Sequence, residues 1–177
     1  MAETGRKNQA LRELLRRGAE EFRRDNIERA QALFEKAAEA APDSAEAHAW
    51  LAAVYGRRID QVWSLPEKLE WLGKMEEEVS AALAIAPDLP LARRMRGAML
   101  LYMPEMMGGD PEAAAAEFRY CIERGMRDAD LWVLLAECFL KSDEEPKALE
   151  ALREALKTDP GHRRAKEWTA KLKQCKG

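Results

Sequence analysis

Between Ala129 and Gly161 the apolar residues recur at helical spacing twice in succession, with a polar turn between the two runs. The first run sets Leu131, Trp132, Leu134, Leu135, Ala136 and Phe139 along one face. The second does the same with Ala148, Leu149, Leu152, Ala155 and Leu156. Ser142 and Asp143 lie between them, Asp143 placed to cap the second helix, and Pro160-Gly161 ends it. Two amphipathic helices joined by so short a turn lie antiparallel and cannot bury both faces alone. They demand neighbours of the same kind.

The neighbours are written upstream in the same register. Counting from Ala129, small residues at positions 8, 20 and 27 are Ala136, Ala148 and Ala155. Large ones at 4, 7, 11 and 24 are Trp132, Leu135, Phe139 and Leu152, and Pro160 stands at 32. A unit starting at Leu11 repeats this with Leu14, Gly18, Ala30, Phe34, Ala37 and Pro42, although Arg17 and Glu21 move its apolar face onto Leu15 and Phe22. A unit starting at Ala45 gives Leu51, Ala52 and Tyr55, with Ser44 or Asp43 as its cap and His48 at position 4. Its second helix, marked by Met75, Val79, Ala82 and Pro87, fits a start at 56 instead, so eleven residues are inserted between the helices. There Ser64-Leu65-Pro66-Glu67 spells a capping box, which predicts a first helix to about Val62 and a second beginning early. A unit starting at Pro90 gives Gly97 and Leu100, while Ala114, Phe118 and Cys121 fit a start at 95, an insertion of five. Gly108-Gly109 supplies a turn, Asp110 a cap and Pro111 the first helical position.

These positions resemble the tetratricopeptide repeat, a 34-residue helix-turn-helix unit, and the chain with its two insertions is similar to bacterial proteins of that type. The register divides it into a polar lead-in (1–10), repeats at 11–44, 45–89, 90–128 and 129–162, and a capping helix (163–177), one domain overall. On the last helix Ala165, Trp168, Leu172 and Cys175 share a face, and the rest is polar. The resemblance implies an all-α fold, a right-handed superhelix (α-solenoid) of four repeats plus the cap, nine or more helices in all. It also implies a non-enzymatic scaffold that holds a peptide or partner protein in a concave groove lined by the first helix of each repeat. The contact positions carried over by the resemblance are Leu15, Ala19, Phe22 and Arg23 in the first repeat, and Glu46, Ala49, Ala53, Gly56 and Arg57 in the second. The third contributes Leu91, Arg94, Ala98, Leu101 and Tyr102, and the fourth Asp130, Val133, Glu137, Leu140 and Lys141. Leu15 and Ala19 stand where a carboxylate clamp would need Lys and Asn, so the groove is expected to take apolar anchors. Arg57, Arg94 and Tyr102 are the expected energetic centres. Two alternatives stand beside this reading: a homo-oligomeric assembly that uses the insertions, and a small apolar ligand held in the groove.

Composition narrows the field. A net charge of −3 argues against nucleic acid as the partner, and the absence of a long apolar run argues against a transmembrane segment. The first residues carry charges without an apolar stretch, which points to a cytoplasmic protein, or a periplasmic one if a signal was removed; a monomer is expected. Cys121, Cys138 and Cys175 make no metal-ligand pattern and read as thiols of a reducing compartment. No cofactor, metal or catalytic residue is expected, because no phosphate-loop, zinc-protease, hydrolase or CxxC motif occurs. His48 reads as a packing residue and His162 as a solvated one. Gly108-Gly109-Asp110 reads as a turn and a cap, since no strand precedes it and Asp110 would repel a phosphate. Met103, Met106 and Met107 either fold back on Trp63 and Trp71 or form a pliable secondary contact surface.

Overall fold

The computed structural model describes residues 2–174, with side chains from residue 5; Cys175 lies outside them. Among the described residues the regular structure is helical, and the chain divides into two compact units, Met1–Met95 and Arg96–Gly177.

The first unit holds α1 (Ala2–Arg23), α2 (Ile27–Ala40), α3 (Ala45–Gln61), α4 (Leu65–Ile85) and the start of α5 (Pro90–Tyr102). The second holds the rest of α5, a single 3-10 turn (Glu105–Met107), α6 (Pro111–Glu123), α7 (Ala129–Lys141), α8 (Glu145–Thr158) and α9 (Arg163–Gln174). The lead-in is thus helical, part of a long α1. The register is met by burial: Ala30, Phe34 and Ala37 on α2, Met75, Val79 and Ala82 on α4, Ala114, Phe118 and Cys121 on α6, and Ala148, Leu152 and Ala155 on α8 are all core residues.

Each helix pair closes on a volume match. A Cβ on Gly18 would lie 2.5 Å from the Phe34 ring, and one on Gly97 would lie 2.7 Å from the Phe118 ring. Where position 8 is Ala52 or Ala136, the facing position 24 carries the smaller Val79 or Leu152. Glycine is present in these helices because the opposing aromatic ring occupies the space of a methyl group.

The two insertions are absorbed differently. Helix α3 has 17 residues against 13 in α7, and α4 has 21 against 14 in α8. Four and seven extra helical residues account for the eleven, and the turn between the helices stays at three (62–64) as at 142–144. The five-residue insertion goes wholly into the connection between α5 and α6, which runs from Met103 to Asp110. That connection is tightly bonded: Gly108 N–H to Glu105 O (2.9 Å), Gly109 N–H to Pro104 O (3.0 Å) and Asp110 N–H to Leu100 O (2.8 Å). Gly108 sits at φ 94°, and a Cβ on Gly109 would collide with the Met103 carbonyl, so both glycines are required by the turn.

Caps set the helix starts. Ser44, Ser64, Asp110 and Asp128 accept from the backbone N–H three residues on. Asp143 does not cap α8 as its position suggested. It adopts a left-handed φ of 56°, as Asp25 does at 62° in the α1–α2 turn, and Glu144 N–H bonds back to Phe139 O (2.8 Å). Aspartate is among the few residues that tolerate this conformation, so both turns use it for backbone shape.

Candidate functional site

In the first unit the inner faces of α1 and α3 meet over an open cleft of about 300 Å³ lined by Arg12, Leu15, Arg16, Ala19, Arg23, Glu46 and Trp50. Leu15 and Ala19 form its buried floor. Trp50 stacks flat on Phe34 at 5.2 Å and meets Phe22 edge-on at 5.7 Å, so the aromatic wall is held from beneath. Arg12 and Arg23 line the rim with Glu46, and Arg16 stands there already paired with Glu13 and Glu20 of its own helix. The structure therefore brings Leu15, Ala19, Phe22, Arg23 and Glu46 of the expected set together. Trp50, Arg12 and Arg16 were not among the expected contacts. Trp50 lies outside the carried-over positions, and the signal for it is a large aromatic two residues after His48, where position 4 lacks the usual large apolar residue.

Other expected contacts are placed differently. Ala49 is wholly buried and Ala53 nearly so, because they pack α3 against its neighbours. Arg57 is exposed and pairs with Asp25 of the α1–α2 turn. Leu91 and Arg94 are half-buried on α5. His48 is more than packing: Nδ1 lies 2.6 Å from Glu78 Oε2 and Nε2 lies 2.9 Å from Pro42 O.

In the second unit the expected positions converge on a carboxylate. Glu137 is buried, and its Oε2 accepts from the Tyr102 hydroxyl at 2.7 Å. Its Oε1 accepts from Arg164 at 2.5 Å and from the Trp168 indole N–H at 3.0 Å, both on α9. Arg164 also donates to the Tyr102 oxygen at 3.1 Å. Burial, with the adjacent carboxylate, pushes the Tyr102 hydroxyl up to about 12, so it stays a donor at neutral pH. Lys141 donates to the Leu101 carbonyl at 2.6 Å, closing the C-terminal end of α5. Leu101 and Val133 are wholly buried and have no surface for a partner, and Glu137 already holds three donors. Ala98 is half-buried, Lys141 exposed, and Tyr102 keeps about half its surface open at 54%. This part of the expected groove is a polar lock between α5, α7 and α9, which the residue list alone did not reveal because Arg164 and Trp168 come from the terminal helix.

His162 is not solvated: its Nδ1 accepts from Ala165 N–H at 3.2 Å as the cap of α9, and Nε2 faces Asp130 at 3.0 Å. Cys121 and Cys138 are buried, and burial next to Glu137 pushes the Cys138 thiol up to about 12, which leaves it unreactive. Met106 and Trp63 are 93% and 95% exposed, so neither folds back on anything; Trp71 instead packs at a tilt against Tyr55, ring centres 5.5 Å apart. Met107 is also exposed, and Met103 is half-buried. Among the described residues no three His, Cys, Asp or Glu side chains gather as a metal site, and no helix is long and apolar enough to cross a membrane.

Residues 106–172 match the tetratricopeptide repeat family. The structure of PilF from Pseudomonas aeruginosa superposes with a TM-score of 0.66 at 20% identity, covering 94% of this chain and 68% of its own. PilW, a widely conserved type IV pilus biogenesis factor, gives 0.70 at 20% identity, with 94% and 70% covered. MamA gives 0.60 at 18% identity, with 90% and 84% covered. At such identities the likeness is one of fold. No curated protein matches the sequence.

Proposed function

We propose that this tetratricopeptide repeat protein is a non-enzymatic interaction module, and that it grips a peptide or partner protein on the inner faces of α1 and α3. The observation that carries the reading is the cleft above Leu15, Ala19 and Trp50: an apolar floor and aromatic wall under a rim of Arg12, Arg16 and Arg23. An apolar anchor side chain would enter the floor, and flanking carboxylates would meet the arginines, which bind them through planar, directed hydrogen bonds. The repeat fold supports an interaction role, because such units present helix surfaces to partners in place of a reaction centre.

The test is affinity capture with the wild type and with the exposed pair Arg12→Glu and Arg23→Glu. The reading requires partners that the wild type retains and the variant loses at an unchanged melting temperature. Identical retention by a folded variant overturns it.

A further inference from the structure

We propose that the tip of the α3–α4 hairpin is a docking knob, and that it seats in the α7–α8 cleft of a second copy of this chain. The seven extra residues of α4 and four of α3 lengthen the hairpin, and at its turn Trp63 is 95% exposed, Leu65 67% and Leu69 47%. Most large exposed apolar side chains of the described structure outside the Met loop are thus gathered at one tip, a pattern that marks an interaction site. The arginines at the base of the hairpin turn back to α2 and its preceding loop: Arg57 to Asp25, and Arg58 to Glu28 at 2.7 Å and to Gln31 at 3.1 Å. Around the tip Asp60, Glu67 and Glu70 outnumber Lys68 and Lys74, so the knob is an apolar point with a net negative surround.

The complementary surface lies on the second unit. A cleft of about 570 Å³ has Trp132, Leu135 and Phe139 as its floor and Arg119, Lys147, Arg153 and Lys157 against Glu150 and Glu154 as its rim, with Lys157 paired to Glu154 and Lys147 to the neighbouring Glu144, which leaves Arg119 and Arg153 as its unshared excess over Glu150. Arg119 and Lys147 already stand over the Phe139 ring, 5.2 and 5.7 Å from its centre. This is a site that holds cations against aromatic faces, and an entering indole offers them another face. The signs match, and both sides are aromatic: a negative knob tipped by Trp63 and a positive cleft floored by Trp132 and Phe139.

Knob and cleft are different surfaces, so the contact is heterologous and each copy keeps one of each free for the next. A single tip buries little area, which places the association in the weak, concentration-dependent class. It also leaves the inner faces of α1 and α3 unused, so it stands apart from the partner-binding reading.

The experiment is sedimentation velocity on the full chain over a wide concentration range. Wild type should sediment faster as concentration rises. Trp63→Ser, and separately the pair Arg153→Glu and Lys157→Glu, should each weaken association about ten-fold or more, with unchanged helical circular dichroism. Mixing the two variants pairs one intact cleft with one intact knob, and should restore a 1:1 dimer and nothing larger. A wild type that stays monomeric, association that survives Trp63→Ser, or a mixture that forms no dimer overturns the proposal. So does a monomeric wild type that binds phosphatidylcholine vesicles through Trp63, which would make the tip a membrane contact.

Discussion

Gly18 facing Phe34 and Gly97 facing Phe118 are a volume exchange across a helix pair, small on one side because the other is large. Alanine favours a helix over glycine by up to about 1 kcal/mol, so the helix itself would gain from Gly97→Ala. The overpacked ring should cost more, about 1–3 kcal/mol. The variant should therefore melt lower than wild type, and Phe118→Leu in the same chain should recover most of the loss. Melting at the wild-type temperature would show that the ring yields. At the same scale, His48 has an acceptor at each ring nitrogen, Glu78 and Pro42 O, and needs both protons to satisfy them. Burial opposes its charge, but the Glu78 and Pro42 contacts outweigh burial and its pKa is raised. A raised folded value means the stabilisation is complete below the unfolded imidazole pKa of about 6.5 and is lost as pH rises through the folded value. His48→Gln should thus cost more stability at about pH 5.5 than at about pH 8.5, measured by denaturant midpoints. An equal cost at both would remove the charged histidine from the account.

At the scale of elements, the terminal helix is attached by more than an apolar stripe. Ala165 is buried and Trp168 and Leu172 pack on the core, while Arg164 and the Trp168 indole close on Glu137. Glu137→Ala should cost about 1–3 kcal/mol, below the cost of a fully buried pair because Arg164 keeps a solvated side. Hydrogen exchange should rise in 163–174 while the amides of α2 to α4 stay as they were. Uniform loss of protection across the chain would mean that Glu137 supports the whole core instead. The pairing of α9 with α7 was only half legible in the sequence. Periodicity shows which residues face inward, so Ala165, Trp168 and Leu172 were readable. It does not show which polar groups meet across helices 27 or more residues apart. The Asp143 turn failed for another reason: an Asp before a helix suits both a cap and a left-handed turn, and only the backbone geometry decides. Register alone does not say where extra residues go: α3 and α4 are four and seven residues longer than α7 and α8, about whole helical turns, while the Gly-Gly pair holds the α5–α6 connection as a loop.

Across the whole molecule, the spacing of small and large residues determines the helix pairs so firmly that the fold could be read from a few positions per repeat. The binding surface is less legible, since equivalent positions in different repeats differ in what they expose: Leu15 forms a cleft floor in the first repeat, whereas Ala49 in the second and Val133 in the fourth have no surface at all. The proposed partner surface is the inner faces of α1 and α3. Site-specific photo-crosslinking tests it most directly, with the probe placed at Glu46 or Arg23, and at Arg29 on the exposed side of α2 as the control. The captured partner should crosslink from positions 23 and 46 and not from 29. Crosslinks from 29 alone, with none from the cleft, would contradict it.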